Sequence, residues 1–291
     1  MRFLHVSDLH VDTGVHGIPL RDMLNKRLVG WANLRLRRAA YYKDAVRKIE
    51  LLAELAEEHS VDAVLCSGDY TVLGTPSELR NARAAIEPLV QAAEHYVTVP
   101  GNHDVYVDDR GVFQDEFGEF LVSDLPEFQV EGRWPLVKLY DGVAVVCIDS
   151  TRPNPSVFTS AGYVPPAQLD ALRRLLASPK LQDRFVFVMT HYAPRLSSGN
   201  PDTVSHGLGN ADDVMAACAI KHGAFIHGHV HKCFTLRVPE CSVPLFGAGS
   251  STMRGHEGLW MFDVDAAGAK AFRGRFVAGR YTLDKEPSRE W

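Results

Sequence analysis

The chain has 291 residues, of which 46% are apolar and 23% charged, and its formal net charge is −5. This composition is that of a globular protein and excludes disordered, collagen-like and disulfide-scaffold chains. No apolar run approaches the ~18–20 residues of a membrane-spanning helix, and the first ten residues lack the apolar stretch of a signal peptide. The acidic balance argues against a uniformly basic surface that would bind polyanions.

The five cysteines are an odd number and contain no C-x-x-C pair. Cys66 and Cys147 lie within apolar runs, as expected for reduced thiols packed in a core. Cys233 and Cys241 could face each other across a hairpin, but a reducing compartment disfavours a disulfide between them. We therefore expect a cytoplasmic protein.

Short apolar runs of strand length alternate with longer segments of helical periodicity. The predicted strands are residues 2–7, 61–67, 95–99, 142–148, 185–190 and 224–227. The predicted helices are residues 43–58, 77–94, 165–177 and 211–221. Such alternation is typical of an α/β fold in which helices flank central strands.

Beyond residue 231 the pattern changes, because strand-like runs follow one another without helices between them. These runs are residues 232–238, 243–247, 258–263 and 269–277. We expect them to form a second, mostly antiparallel sheet stacked on the first. Since no linker or repeat divides the sequence, residues 1–291 are interpreted as a single domain.

Acidic and histidine side chains cluster where predicted strands end. They are Asp8, His10, Asp69, Asn102, His103, Asp104, His191, His227, His229 and His231. Because the carboxyl ends of the strands in an α/β sheet open onto one crevice, we expect these side chains to meet at one rim.

Each of these motifs alone has an ordinary structural explanation. Asp-x-His and Gly-Asn-His-Asp can form turns, Gly-Asp can cap a helix, and a single histidine can be packed in a core. The histidines of Gly-His-Val-His are harder to explain in this way, because residues two apart on an extended backbone share one face. The complete set in this order favours a functional site.

The residue types indicate a metal centre. Carboxylates, an amide oxygen and imidazoles suit divalent Mn, Fe, Zn, Ni or Co, and the motifs contain no thiolate. The set exceeds the four ligands of one tetrahedral site. Two ions about 3.5–4 Å apart that share one carboxylate would use all of these ligands, and such pairs act on phosphate esters.

The motifs resemble the signature of the calcineurin-like metallophosphoesterase superfamily, which reads D-x-H, G-D, G-N-H-[DE], H and G-H-x-H. They extend over residues 8–231 of this chain. The resemblance implies two stacked mixed β-sheets flanked by helices, an αββα sandwich. It also implies that Asp8, His10 and His231 hold a first ion, that Asp69 bridges both ions, that Asn102, His191 and His229 hold the second, and that His103 contacts the scissile phosphate, oriented by Asp104.

The implied activity is hydrolysis of a phosphodiester by a hydroxide that bridges the two divalent ions. The ions and a protonated His103 would neutralise the charge that develops on the phosphoryl oxygens. The substrate is expected to be a small phosphorylated molecule.

Differences from the superfamily signature indicate which branch of the superfamily the chain resembles. Gly68-Asp69 is not followed by the second acidic residue that many relatives carry, and GNHD differs from the GNHE of protein Ser/Thr phosphatases. PGNHD and the segment 190–194 (THYAP) are similar to bacterial small phosphodiesterases, including class III cyclic-nucleotide phosphodiesterases. Two alternatives stay open: a DNA exonuclease, whose branch the start MRFLHVSDLH resembles, and a non-catalytic metal-binding scaffold, against which the intact ligand set argues.

Residues 21–48 contain nine basic and two acidic residues, a local charge of +7 in an acidic chain. Leu24, Leu28, Trp31, Leu34 and Leu36 are interleaved with them. We interpret residues 14–42 as a basic amphipathic insertion. Either it is a surface helix whose Trp and Leu pack on the core, or it is a lid in which residues 21–38 contact anionic lipid or a bulky phosphorylated ligand at a membrane surface.

The basic segment adds one substrate alternative. UDP-2,3-diacylglucosamine hydrolases of the same superfamily act on lipid substrates, so a lipid-linked phosphodiester or pyrophosphate competes with a cyclic nucleotide. A nucleic acid partner is not expected, because the chain as a whole is acidic.

Overall fold

The computed structural model of the chain describes residues 1–12, 24–33, 39–107, 111–130 and 133–291. Its strands are β1 (Arg2–Val6), β2 (Ala63–Cys66), β3 (His95–Thr98), β4 (Leu136–Tyr140), β5 (Val143–Cys147), β6 (Phe185–Met189), β7 (Gly223–His227), β8 (Cys233–Leu236), β9 (Leu245–Ala248), β10 (Leu259–Asp265), β11 (Gly268–Val277), β12 (Arg280–Leu283) and β13 (Arg289–Glu290). Its α-helices are α1 (Lys26–Asn33), α2 (Ala39–Tyr42), α3 (Ala45–Glu58), α4 (Pro76–Ala85), α5 (Glu87–Gln91), α6 (Asn102–Val105), α7 (Val112–Phe117), α8 (Pro166–Leu176) and α9 (Ala211–Ala217).

The strands form two mixed sheets. The first has the order β12-β11-β10-β1-β2-β3, with β13 paired to β11, and its strands β1, β2 and β3 are parallel. The second has the order β4-β5-β6-β7-β9-β8, with antiparallel strands β4 and β8 at its two edges. The expectation of two stacked mixed sheets is confirmed.

Apolar side chains from both sheets fill the space between them. Phe3 and Phe262 of the first sheet and Phe187 and Phe246 of the second are fully buried in one cluster. Helices cover the outer faces. Ile49 and Leu52 of α3 pack on the first sheet, and the leucines of α8 pack on the second. Each sheet therefore has one face against its partner and one against helices, which is the predicted αββα order.

The predicted location of the C-terminal strands is wrong in one respect. They do not form a sheet of their own. Strands β8 and β9 extend the second sheet, where β9 pairs in parallel with β7, whereas β10 pairs antiparallel with β1 at the centre of the first sheet. An apolar run predicts a buried strand, but the sheet that it joins depends on contacts between residues far apart in the sequence.

Two predicted helices are also shorter than expected. The segment 77–94 is split into α4 and α5, because Pro88 has no N–H to continue the first helix and lies instead in the first turn of the second. The segment 211–221 is helical only as far as Ala217. All five cysteines are buried free thiols, and none of the described helices has the length and apolar character needed to cross a bilayer.

Candidate metal centre

Loops from both sheets converge on one site. Asp8 and His10 follow β1, Asp69 follows β2 and Asn102 begins α6 after β3, all from the first sheet. The second sheet contributes His191 after β6 and His229 and His231 after β7. The seven predicted ligands are therefore brought together, but across the ends of two sheets instead of the rim of one.

Four side chains form a first group of ligands. They are Asp8, His10, Asp69 and His231, and one ligand atom of each lies within 4.8 Å of the others. The Nε2 atoms of His10 and His231 are 3.2 Å apart. Oδ1 of Asp8 lies 3.1 Å from Nε2 of His231, and this buried oxygen accepts no hydrogen bond from the described residues.

A second group adjoins the first. Oδ1 of Asn102 is 2.9 Å from Nε2 of His191 and 2.9 Å from Nδ1 of His229. Oδ2 of Asp69 is 3.5 Å from Nε2 of His191 and 3.8 Å from Nε2 of His10. One carboxylate oxygen therefore lies between the two groups, where a bridging ligand is required.

In three of the histidine ligands, the ring nitrogen that faces away from the site donates a hydrogen bond to a backbone carbonyl oxygen. Nδ1 of His10 donates to Thr71 O at 2.9 Å, and Nδ1 of His191 donates to Ser67 O at 2.7 Å. His229 is reversed, with Nε2 donating to His206 O at 3.0 Å. In each ring the proton is thus on the nitrogen that faces away from the site, and the other nitrogen is directed at the site as a ligand.

The electrostatics of the site favour the same protonation states. Burial lowers the pKa of His10, His191 and His229, which keeps these rings neutral as metal ligands must be. Burial raises the pKa of Asp8, but the attraction of His231 opposes it, and the pKa lies below its usual value. Ionised carboxylates, neutral imidazoles and an orphaned buried oxygen fit two divalent cations.

The backbone at the site is unusual. Five ligand residues, Asp8, His10, Asp69, His229 and His231, have φ between 42° and 70°. Non-glycine residues rarely adopt this left-handed conformation, which is costly and persists where the surroundings impose it. Hydrogen bonds from Asp8 N to Gly68 O and from His10 N to Asp69 O, both 2.9 Å, fix the two loops against each other.

The comparison with protein families agrees with this geometry. The model of the calcineurin-like phosphoesterases matches residues 1–233. The chain belongs to this family. The phosphoesterase is similar in fold to a dimetal phosphatase from Danio rerio, with a TM-score of 0.62, 13% identity and coverage of 97% of this chain and 98% of that one. It is also similar in fold to the purple acid phosphatase PPD1 from yellow lupin seeds, with a TM-score of 0.60 and 12% identity. The match covers 97% of this chain and 52% of that one. No curated protein matches the sequence.

His103 of the phosphoesterase is oriented differently from the expectation. Its Nδ1 donates to Val72 O at 2.6 Å, its backbone N–H donates to Oδ1 of Asp69 at 2.7 Å, and its ring stacks on that of Tyr106. The ring is perpendicular to that of His10, with centroids 5.2 Å apart. His103 therefore lies beside the first ligand group and lines the cleft.

The predicted role of Asp104 as the group that orients His103 is wrong. Its carboxylate accepts instead from four backbone N–H groups, those of Gly101, Asp69, Tyr70 and Thr71, at 2.8–3.0 Å. Burial raises the pKa of Asp104 to about 6, although these hydrogen bonds act in the opposite direction. Asp104 joins the start of α6 to the loop after β2, and so fixes the positions of Asp69 and Asn102.

Gly101 is required by the close approach of Asp69. A Cβ atom at residue 101 would lie 2.1 Å from Oδ1 and 2.2 Å from N of Asp69. We expect Gly101→Ala to displace the bridging carboxylate, to destabilise the fold by about 1–3 kcal/mol and to reduce metal binding. Thermal melting and metal analysis after reconstitution test this. Gly118→Ala is the control, because residue 118 has a helical φ and open space around its Cα; an equal loss in both variants would contradict the steric explanation.

The motifs do not include Ser160, which nevertheless acts on a ligand. Its hydroxyl accepts from Nδ2 of Asn102 at 3.1 Å, which leaves Oδ1 of the amide directed at the second ligand group. The cleft, of about 490 Å³, is also lined by His206 and His256. Nδ1 of His206 lies 2.6 Å from Oδ2 of Asp202. Ser160 belongs to a loop without regular structure or repeated spacing, so no sequence pattern could have identified it.

We expect Ser160→Ala to weaken the binding of the second ion by roughly 10-fold, as the loss of other groups that orient metal ligands does. Binding of the first ion should be unchanged, because Asn102 belongs to the second group only. Stepwise metal titration by calorimetry separates the two ions. Ser156→Ala is a matched control from the same loop, since the hydroxyl of Ser156 accepts from Phe158 N instead. Equal affinities in wild type and Ser160→Ala would contradict the positioning role.

Two more buried histidines are kept neutral near the ligands. Nε2 of His5 lies 3.0 Å from Ser67 Oγ. Nδ1 of His5 has no hydrogen-bond partner in the described structure, and neither has Nε2 of His227. Burial, with repulsion from His227, lowers the pKa of His5 to about 3, and burial lowers the pKa of His227 to about 4. His227 is therefore a core residue. This agrees with the Gly-His-x-His motif, which begins at Gly228 and does not include His227 among the ligands.

The low pKa of His5 predicts a pH dependence of stability. An unfolded histidine binds a proton below about pH 6.5, whereas folded His5 does so only near pH 3. The free energy of unfolding should therefore fall as the pH decreases between these values. In the metal-free protein, where metal release does not contribute, the slope should be smaller for His5→Gln than for wild type. Denaturant unfolding across this range measures both slopes, and identical slopes would contradict the assignment.

Proposed function

We propose that the phosphoesterase hydrolyses phosphodiesters with two divalent ions, and that its substrate is a small phosphorylated molecule of the cyclic-nucleotide class. The observation that supports this most directly is the position of Asp69, whose Oδ2 lies between two complete ligand groups. Two bound ions would activate a water molecule at neutral pH and neutralise charge on the phosphoryl group.

The chain's own residues contribute position and charge. Asp8 and Asp69 supply negative charge to the cations, and the carbonyl groups behind the histidines hold the ligands in place. We infer that His103 donates a hydrogen bond to a phosphoryl oxygen, because its ring lines the cleft beside the first ligand group. Such a donor stabilises the transition state more than the ground state, since charge on that oxygen grows during the reaction.

A lipid-linked phosphodiester or pyrophosphate is the second candidate substrate. It is favoured by large exposed apolar side chains on segments beside the cleft, among them Phe158 and Val204. A DNA exonuclease has no comparable support, since the chain is acidic overall. A non-catalytic scaffold is disfavoured because all seven ligand residues are in position. We place the reaction in the cytoplasm, which the five free thiols support.

A single set of assays tests the proposal. The protein is reconstituted with Mn²⁺, Fe²⁺, Zn²⁺, Ni²⁺ or Co²⁺ and given a generic aryl phosphodiester, its monoester, cAMP, a nucleotide-linked lipid and single-stranded DNA. Faster turnover of the diester than of the monoester supports the proposal, and turnover of cAMP supports the cyclic-nucleotide class. Preference for the monoester, or turnover of DNA alone, would overturn it. Full metal content without turnover of any ester would favour the scaffold.

A further inference from the structure

Three segments beside the cleft carry exposed apolar side chains. Residues 24–33 expose Leu24, Leu28 and Val29, residues 152–160 expose Val157 and Phe158, and residues 203–206 expose Val204. We call these six residues the apolar rim. Phe158 and Val204 are the most exposed, at 86% and 92%. Exposed apolar side chains that lie together in a patch are typical of an interaction surface, whereas single ones are common on any protein.

Hydrogen bonds join the three segments to one another and to the site. Nζ of Lys26 donates to Thr159 O at 2.6 Å, and Ser160 N donates to Ser205 O at 2.7 Å. The bond between Ser160 and Ser205 joins the segments of Phe158 and Val204, since Phe158 is two residues from Ser160 and Val204 is next to Ser205. Ser160 and His206, which belong to two of these segments, line the cleft, so the segments that carry the apolar rim border the candidate metal centre.

The helix in the first segment presents its side chains in an unusual way. Arg27 is buried and donates to Leu73 O and Gly74 O, and Trp31 packs against the cluster that contains Tyr106. Leu28 and Val29 face solvent instead. A surface helix that only packed on the core would carry polar residues on its exposed face, where Leu28 and Val29 lie. The packing interpretation of the basic segment therefore accounts for Trp31 but not for the exposed side chains.

The charge of the three segments indicates what covers the apolar rim. Apart from the buried Arg27, they contain two basic residues, Lys26 and Arg152, and no acidic residue, although the whole chain has a net charge of −5. Asp202, which precedes the third segment, lies 2.6 Å from Nδ1 of His206. Lys26 and Arg152 donate to carbonyl oxygens, those of Thr159 and Ala161 among them. Apolar side chains combined with positive charge match an anionic lipid surface, which offers both an acyl boundary and negative headgroups.

We propose that the apolar rim docks the phosphoesterase on an anionic bilayer, with the cleft facing the lipid headgroups. The sequence predicts that residues 21–38 contact anionic lipid, and the docking proposed here adds Phe158 and Val204 to that contact. Residues 21–23 and 34–38 lie outside the described residues. The docking rests on the proposed phosphodiester hydrolysis, but of the two candidate substrates it favours the second, because the phosphodiester presented to the cleft would be that of a lipid.

Flotation of the metal-loaded full chain with lipid vesicles tests the docking without relying on turnover. Vesicles of phosphatidylcholine with phosphatidylglycerol should bind the protein, vesicles of phosphatidylcholine alone should bind it less, and added salt should weaken the binding. The double variant Phe158→Ser/Val204→Ser should bind anionic vesicles at least ~10-fold less tightly, since two apolar side chains no longer leave water. Val122→Ser/Val277→Ser is the matched control, because these residues are also exposed but lie outside the rim.

Melting temperatures and metal contents equal to wild type show that the variants are folded. The docking proposal is overturned if wild type does not bind anionic vesicles, if both double variants lose binding equally, or if only the rim variant changes the oligomeric state, which would make a second copy the partner. Turnover of a soluble aryl diester is measured on the same samples. Vesicle binding without that turnover would contradict the proposed function alone, and turnover without vesicle binding would contradict the docking alone.

Discussion

Replacing Asp69 with asparagine is expected to abolish hydrolysis and to weaken the loading of both ions by at least ~100-fold, the upper end of what changes around the ligands cause. Oδ2 of Asp69 lies between the two ligand groups, and Oδ1 accepts from His103 N. The amide would keep the shape but lose the charge shared by the two cations.

Metal analysis after reconstitution and turnover of an aryl diester measure the two effects. Asp213→Asn, which changes an exposed acid of α9 by the same one charge, is the control and should behave as wild type. Full metal content with wild-type rates in Asp69→Asn would eliminate the two-ion interpretation of the site. Loss of only one ion would show that Asp69 binds a single ion and does not bridge.

The sequence predicts where the strands and the metal ligands lie in the chain better than it predicts which strands pair with each other. Buried strands such as β6 are visible as uninterrupted apolar runs, because both of their faces are covered. The ligands are visible because few residue types bind metal and each follows such a run. The sheet joined by β9 or β10 is not visible, since an apolar run shows that a strand is buried and the choice of sheet depends on the packing of the whole chain.

The role of Asp104 shows a different kind of error. Its position next to His103 suggests a carboxylate–histidine pair, but it is the third residue of α6 and its carboxylate accepts from the N–H of the residue before the helix, Gly101. This hydrogen bond is one half of a capping box, and Gly101 has no side chain to supply the other half, so the sequence contains only part of that signal. Ser160 and the left-handed φ values of the ligands have no such signal, because they arise from contacts between loops.

Replacing His103 with alanine is expected to retain both ions and to reduce diester turnover by ~10²–10³-fold, the usual effect of removing one transition-state donor. The ring is not part of either ligand group, and the backbone N–H of His103, which the substitution keeps, donates to Asp69. Turnover and metal content measured on the same sample separate chemistry from metal binding. A fall in metal content that matches the fall in rate would contradict this assignment.

Asp104→Ala provides the decisive comparison. It would leave four buried N–H groups without their acceptor, at roughly 1–3 kcal/mol for each group, so we expect a lower melting temperature and loss of metal as well as activity. If Asp104 acted by orienting His103, the two variants would share full metal content and a similar reduced rate. Because the ring is held by Val72 O instead, only His103→Ala should keep its metals.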